Sequence, residues 1–188
     1  LADAVANQNC CVVGVPKTID GDLQLAPDLP ISFGFDTAHK LYDELVGNIM
    51  QCAKSSLKYW HFVRLMGRSS SHVTLEVALQ TQPAYTIISE CTHSWSSLID
   101  DITRVIHNRA TNGVHHGVIL IPEGLIEQLP EFSALLDGLS RDATLSSDSQ
   151  SLYDSLPDNI KHQLHGQRDP HGNIPVSSIQ TDAILVHA

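Results

Sequence analysis

The chain has 188 residues, of which 42% are apolar and 17% charged, with a formal net charge of −10. That length and apolar share suit a folded domain with a buried core rather than a disordered chain. The negative balance argues against non-specific binding to nucleic acid or an anionic membrane, and no apolar run approaches the roughly 18 residues of a membrane span. Leu1 stands first with no basic, then apolar, segment behind it, so a secretory leader is not expected and an excerpt of a longer chain is. Cys10, Cys11, Cys52 and Cys91 form no CxxC pair and no disulfide framework, which suits a reducing, cytoplasmic setting. His115 and His116 lack the spacing of a zinc motif and read as surface residues.

In chain order, residues 1–8 read as the tail of a helix. Residues 11–15, "CVVGV", are short, continuous and β-branched, the mark of a buried strand. A loop rich in Pro, Gly and Asp runs to about residue 32. "FDTAHKLYDELVGNIMQCAKS" places Leu41, Leu45 and Ile49 at helical spacing, with Val46 and Met50 beside them. "YWHFVRLM", 59–66, reads as a strand, and "SSHVTLEVALQT" as a helix with serines in its N-cap region. "AYTIIS", 84–89, is a strand. "SWSSLIDDITRVIHNRA" is a helix capped by Ser94, with Leu98, Ile102 and Ile106 on one face. "GVILI", 117–121, is a strand, and "LIEQLPEFSALLDGL" is helical with an interruption at Pro130. From about residue 139 the chain turns polar. "SRDATLSSDSQS" reads as a loop or insertion, "LYDSLPDNIKHQL" as a short helix, "GQRDPHGNIPVSS" as turns, and "SSIQTDAILVHA" as the start of a further helix.

Alternating strands and helices imply a parallel sheet covered on both faces, with every strand's carboxyl end on one edge. Ligands bind outside that edge. Three stretches lie there. In "PKTIDGD", Asp20 and Asp22 are two apart around Gly21, so one carboxylate can take a proton while the other orients a hydroxyl or a water. Lys17 offers a compact charge suited to phosphate, and Thr18 a hydroxyl. On spacing alone an ordinary Asp-Gly turn is the simpler account. In "MGRSSSH", Gly67 permits close backbone approach, Arg68 can grip a phosphate, and a helix start adds free N–H groups. A plain strand-to-helix turn explains that stretch equally well. In "IPEG", Glu123 can accept from sugar hydroxyls, although a lone Glu carries little by itself.

Together, "GVPKTIDGDL", "SFGFDTA", "YWHFVRLMGRSSSHVTLEVALQT", "IPEGLIEQLPE" and "RDPHGNIPVS" resemble the phosphofructokinase family, in the expected order and over nearly the whole chain. The likeness is nearest to its pyrophosphate-dependent branch. The resemblance implies an α/β fold, a three-layer Rossmann-like parallel sheet with helices on both faces, incomplete at both ends. Residues 1–138 would be its core with the sugar-phosphate and catalytic loops, and 139–188 a polar insertion and partial helical segment. It implies phosphoryl transfer from pyrophosphate to the 1-hydroxyl of fructose 6-phosphate. Asp20 resembles the general base and Asp22 its supporting carboxylate. Thr18 and Ile19 belong to the same substrate-contacting segment, and Lys17 resembles the lysine that marks pyrophosphate users. Met66, Gly67 and Arg68 resemble the sugar-phosphate contact, and Glu123 the carboxylate that holds the sugar. Lys58 and Tyr59 stand where the family donates residues to a neighbouring subunit's site, which implies a homo- or hetero-oligomer with shared sites. The family's "GGDD" loop, whose aspartate holds Mg²⁺, and its "YEGR" segment are missing from these 188 residues. The Mg²⁺ ligand is therefore expected upstream, with none in this chain, and the excerpt alone should be inactive. The alternatives are a non-catalytic regulatory subunit, against which the intact Asp20 argues, an ATP-dependent relative, against which Lys17 argues, and an unrelated phosphosugar-binding module with no catalysis.

Overall fold

The computed structural model describes residues 12–15, 17–21, 23, 32–92, 94–140, 144–166, 168, 174–175 and 179–188. Along them run α1 (Phe35–Ser56), β1 (Trp60–Leu65), α2 (His72–Thr81), β2 (Tyr85–Thr86), α3 (Trp95–Thr111) and β3 (Gly117–Pro122). Then come α4 (Leu125–Gln128), α5 (Pro130–Ser140), α6 (Ser147–Ser155), α7 (Asp158–Leu164) and α8 (Thr181–His187). The strands form one parallel sheet in the order β1-β3-β2. Trp60 faces Gly117 and Leu65 faces Pro122 across β1 and β3, while Tyr85 faces Ile119 across β2 and β3.

β3 is central, and all six of its residues are buried. Its side chains divide between two cores. Val118 and Leu120 pack with Leu65 and with Val46, Val73 and Val77 from α1 and α2. Ile119 and Ile121 pack with Ile87, with Leu98 and Ile102 of α3, and with apolar residues of α4 to α8. A strand buried on both faces needs apolar residues at every position, which is why "GVILI" shows no alternation. The crossover from β1 to β2 passes over β3 in one direction, and that from β2 to β3 returns. Right-handed crossovers therefore require α2 and α3 on opposite faces, and there they are found. The α/β class with helices on both faces is as the sequence predicts.

Several local expectations need correction. Val12–Val15 do not form a strand. Val12, Val13 and Val15 are 49%, 77% and 74% exposed, and no described residue pairs with them. An apolar run becomes a strand only when a neighbour supplies its backbone partners. In α1 the buried line is His39, Val46 and Ala53, flanked by Tyr42, Ile49 and Met50, while Leu41 and Leu45 are exposed. At 3.6 residues per turn, Leu45 and Leu41 lie about 100° and 140° round the helix from Val46. Two overlapping apolar stripes are thus available, and contact with α2 and the sheet selects the one centred on Val46. β2 is shorter than 84–89, although Ala84 and Ile87 still donate to Val118 and Leu120. It ends because Ser89–Cys91 coils into a 3-10 turn. The serine run expected as a loop enters α6, where Ser146 caps the helix by accepting from the Ser149 amide at 3.2 Å.

Other expectations stand. Ser94 caps α3 by accepting from Ser97 at 3.3 Å. The interruption falls at Leu129, extended and fully buried, with Pro130 opening α5. α6, α7 and α8 add Leu156, Ile160, Leu164, Ile184 and Leu185, in and beside them, to the core of β3 and α3. Arg64 of β1 donates to the Ile179 carbonyl and faces Asp182, which ties α8 to the sheet. The helix read at 1–8, most of the Pro/Gly/Asp loop and most of the "GQRDPHGNIPVSS" turns lie outside the described residues. Among the described residues no helix is long and apolar enough to cross a membrane.

Candidate active site

The carboxyl ends of β1 and β3 are joined by backbone bonds. The Glu123 amide donates to Leu65 O and the Gly124 amide to Gly67 O, each at 2.9 Å. This brings "MGR" and "PEG" together. The approach is so close that a Cβ on Gly124 would stand 1.7 Å from the Arg68 carbonyl oxygen. Gly67 has φ +139°, and a Cβ there would lie 2.7 Å from Ser70 O. Both glycines are therefore required by the junction itself.

The segment 17–21 lies against this junction. The Asp20 carboxylate accepts from the Arg68 amide at 3.4 Å, and its own amide donates to Thr18 Oγ1 at 3.2 Å. Ser70 Oγ donates to the Asp20 carbonyl at 2.9 Å, and His72 Nδ1 donates to the Gly21 carbonyl at 3.1 Å. Gly21 has φ +71°, and a Cβ there would press on His72 and the Phe35 ring. The Ile19 side chain sits against Gly34, at the start of α1.

Residues 68–72 are held from behind. The Ser71 amide donates to Glu90 Oε1 at 2.8 Å, and Ser71 Oγ accepts from the Ser89 amide at 3.0 Å. Ser71 thus occupies the N-cap of α2 but spends its hydroxyl on the turn after β2, not on its own helix. Loss of hydration works to raise the Glu90 pKa. Hydrogen bonds from Ser71 and from its own amide, with the electrostatic pull of the nearby His72, outweigh that and hold the carboxyl below its ordinary value. Gln128 donates to Ser69 O at 3.2 Å, and the exposed Arg68 guanidinium stands 3.8 Å from Glu127.

Thr18, Ile19, Asp20, Met66, Gly67, Arg68 and Glu123 are therefore gathered on one edge of the sheet. Lys17 is exposed and has no hydrogen-bond or ion-pair partner among the described residues. Asp22 lies outside the described residues. Lys58 and Tyr59 are apart from the rest: they are exposed and precede β1, a strand about 20 Å long by its six residues. Sequence reasoning missed Ser70, His72 and Glu90. "SSSH" was legible as a helix start, but no local pattern says that its hydroxyl and imidazole reach a loop some 50 residues earlier. Among the described residues no group of three His, Cys, Asp or Glu side chains is placed to hold a metal ion.

Loops converging on the carboxyl edge of a parallel sheet, with a carboxylate at their meeting point, define an α/β protein whose candidate site lies at the strand ends. The phosphofructokinase family model matches residues 1–166, and the chain belongs to that family. It is 45% identical, over 96% of its length, to the pyrophosphate–fructose 6-phosphate 1-phosphotransferase subunit beta 2 of Arabidopsis thaliana, covering 34% of that protein. It is 43% identical, over 97% of its length, to the pyrophosphate–fructose 6-phosphate 1-phosphotransferase of Entamoeba histolytica, covering 38% of it. Against the Arabidopsis subunit alpha 2 the identity is 40%, over 100% of this chain and 33% of the relative. The chain thus spans about a third of the length of the relatives it matches.

Proposed function

We propose that this chain is the central part of a phosphotransferase that converts fructose 6-phosphate and pyrophosphate to fructose 1,6-bisphosphate and phosphate. The observation that carries the reading is Asp20, whose carboxylate meets the Arg68 amide where the strand-end loops join. The names of the relatives supply the substrates. In this reading Asp20 takes the proton of the sugar's 1-hydroxyl as its oxygen attacks the terminal phosphorus of pyrophosphate. The bond to the leaving phosphate breaks as the new P–O bond forms. Phosphoryl transfer asks the protein chiefly for positioning and charge stabilisation. Lys17 and Arg68 supply positive charge to the donor and to the sugar phosphate, with Asp22 supporting the base. Thr18, Ile19, Met66, Gly67 and Glu123 contact the sugar phosphate.

Lys58 and Tyr59 would serve the site of a neighbouring subunit in a homo- or hetero-oligomer. Their distance from Asp20 along β1 favours that role over one in their own site. Residues 1–138 would be the α/β core with the reacting loops, and 139–188 a polar insertion and partial helical segment of the same enzyme. The Mg²⁺ ligand is expected upstream of these residues, in the aspartate of the family's "GGDD" loop. Exposed free thiols at Cys52 and Cys91 suit a cytoplasmic setting.

The test is Asp20→Ser in the whole enzyme. A general base contributes about 10² to 10⁴-fold, so turnover should fall by that much while fructose 6-phosphate affinity changes little. Near-normal turnover would overturn the reading.

A further inference from the structure

We propose that Ser70 and His72 are positioning residues that hold the Asp20–Gly21 main chain, and through it the Asp20 carboxylate, in register with Arg68. The inference rests on the phosphotransferase reading and concerns the same site.

The carboxylate's own bond, 3.4 Å from the Arg68 amide, is too long to fix it. Its carbonyl is held more firmly. Ser70, only 8% exposed, donates to Asp20 O at 2.9 Å, and one residue further His72 donates to Gly21 O. Two side chains thus grip two consecutive carbonyls of the segment that carries the base.

The gripping turn is itself rigidly placed. Glu90 and Ser89 bind Ser71 from the β2 side, Gln128 binds Ser69 from α4, and Gly124 abuts the Arg68 carbonyl. The same segment also meets a local Thr18 contact, Ile19 beside Gly34 and Gly21 beside Phe35, and none of these three holds the Asp20 or Gly21 carbonyl. Asp20 inherits its position from the turn after β1. Displacing a reacting group by about 1 Å can cost on the order of 10²-fold in rate, so bonds that never touch substrate can govern turnover.

Neither residue would touch the reacting atoms, and the experiment separates positioning from general support. In the whole enzyme, S70A and H72A should each lower kcat about five- to tenfold, the loss of one hydrogen bond, with KM for fructose 6-phosphate nearly unchanged. S70T keeps a hydroxyl, and H72N places an amide N–H where Nδ1 stood, so both should recover most of the loss. In an Asp20→Ser background S70A and H72A should have no further effect on residual turnover, because the group they position is gone. Unchanged kcat in both alanine variants would overturn the proposal, as would an equal loss in the Asp20→Ser background. His72 is exposed, so H72A against H72N keeps the test sharp should S70A fold poorly. If D20S itself turns over normally, the base assignment fails and this inference with it. If D20S is crippled while S70A and H72A are not, only the positioning role fails.

Discussion

Two apolar runs of nearly the same character meet opposite fates in this chain. "GVILI" becomes the central strand β3, every residue buried between two cores. "CVVGV" contains three valines, and they are 49%, 77% and 74% exposed. Both runs lead into a loop of the candidate site: β3 into Glu123 and Gly124, the valine run into 17–21. The difference is not in the side chains. β3 has β1 on one flank and β2 on the other, and Val12–Val15 have no strand beside them among the described residues. Hydrophobicity states that a segment should be buried, but burial requires a surface that the segment does not itself contain.

The same distinction explains what was legible in the sequence. β1, α2, α3, β3 and the break at Pro130 rest on near-neighbour patterns such as spacing, caps and a proline, and those were readable. The inward face of α1 was not, because Leu41, Leu45, Val46 and Ile49 offer two overlapping stripes and only contact with α2 and the sheet chooses between them. The serine run looked like a loop, yet Ser146 begins a helix that helps cover α5. At the site, the sequence puts Asp20 at the sheet edge because it should follow a strand, and Val12–Val15 form none among the described residues. What holds it was not legible: Ser70 and His72 reach it across about 50 residues of sequence, a contact that only the fold creates.

The largest effect that would test the contrast lies in the buried strand. Leu120 is fully buried in the core that α1 and α2 share with the sheet. Leu120→Ala should lower unfolding stability by about 2–5 kcal/mol, read from urea denaturation of the chain followed by circular dichroism. A loss below about 1 kcal/mol would mean that β3 is not the packed centre of the sheet and that the contrast with the valine run is overstated.

A second effect separates function from packing in the loop after the valine run. Lys17 is exposed and has no partner among the described residues, so removing it should leave unfolding stability within about 0.5 kcal/mol. In the whole enzyme the proposed role gives it a charge-assisted contact with pyrophosphate, about 1.5–3 kcal/mol, or roughly 10 to 150-fold in rate. Lys17→Gly should therefore lower kcat with pyrophosphate at saturating fructose 6-phosphate by that factor while binding of the sugar phosphate persists. An unchanged kcat would make Lys17 a solvated loop charge and place donor preference elsewhere.

The smallest effect belongs to the valine run itself. Val13 is 77% exposed, so Val13→Ala removes two methyl groups that the fold of these 188 residues hardly uses. The chain should unfold within about 0.5 kcal/mol of the parent, although Leu120→Ala in the same assay costs several times more. The proposed whole enzyme changes the expectation. If its further residues supply the strand neighbours that this run lacks, the two methyl groups become buried and the same substitution should cost about 1.5 kcal/mol, at about 0.8 kcal/mol for each. The comparison is thus between one substitution in two lengths of protein. A large loss already in the 188-residue chain would show that Val12–Val15 is packed there after all. No loss in either would show that the apolar run serves neither fold, and that the loop carrying Asp20 is positioned from the β1 side alone.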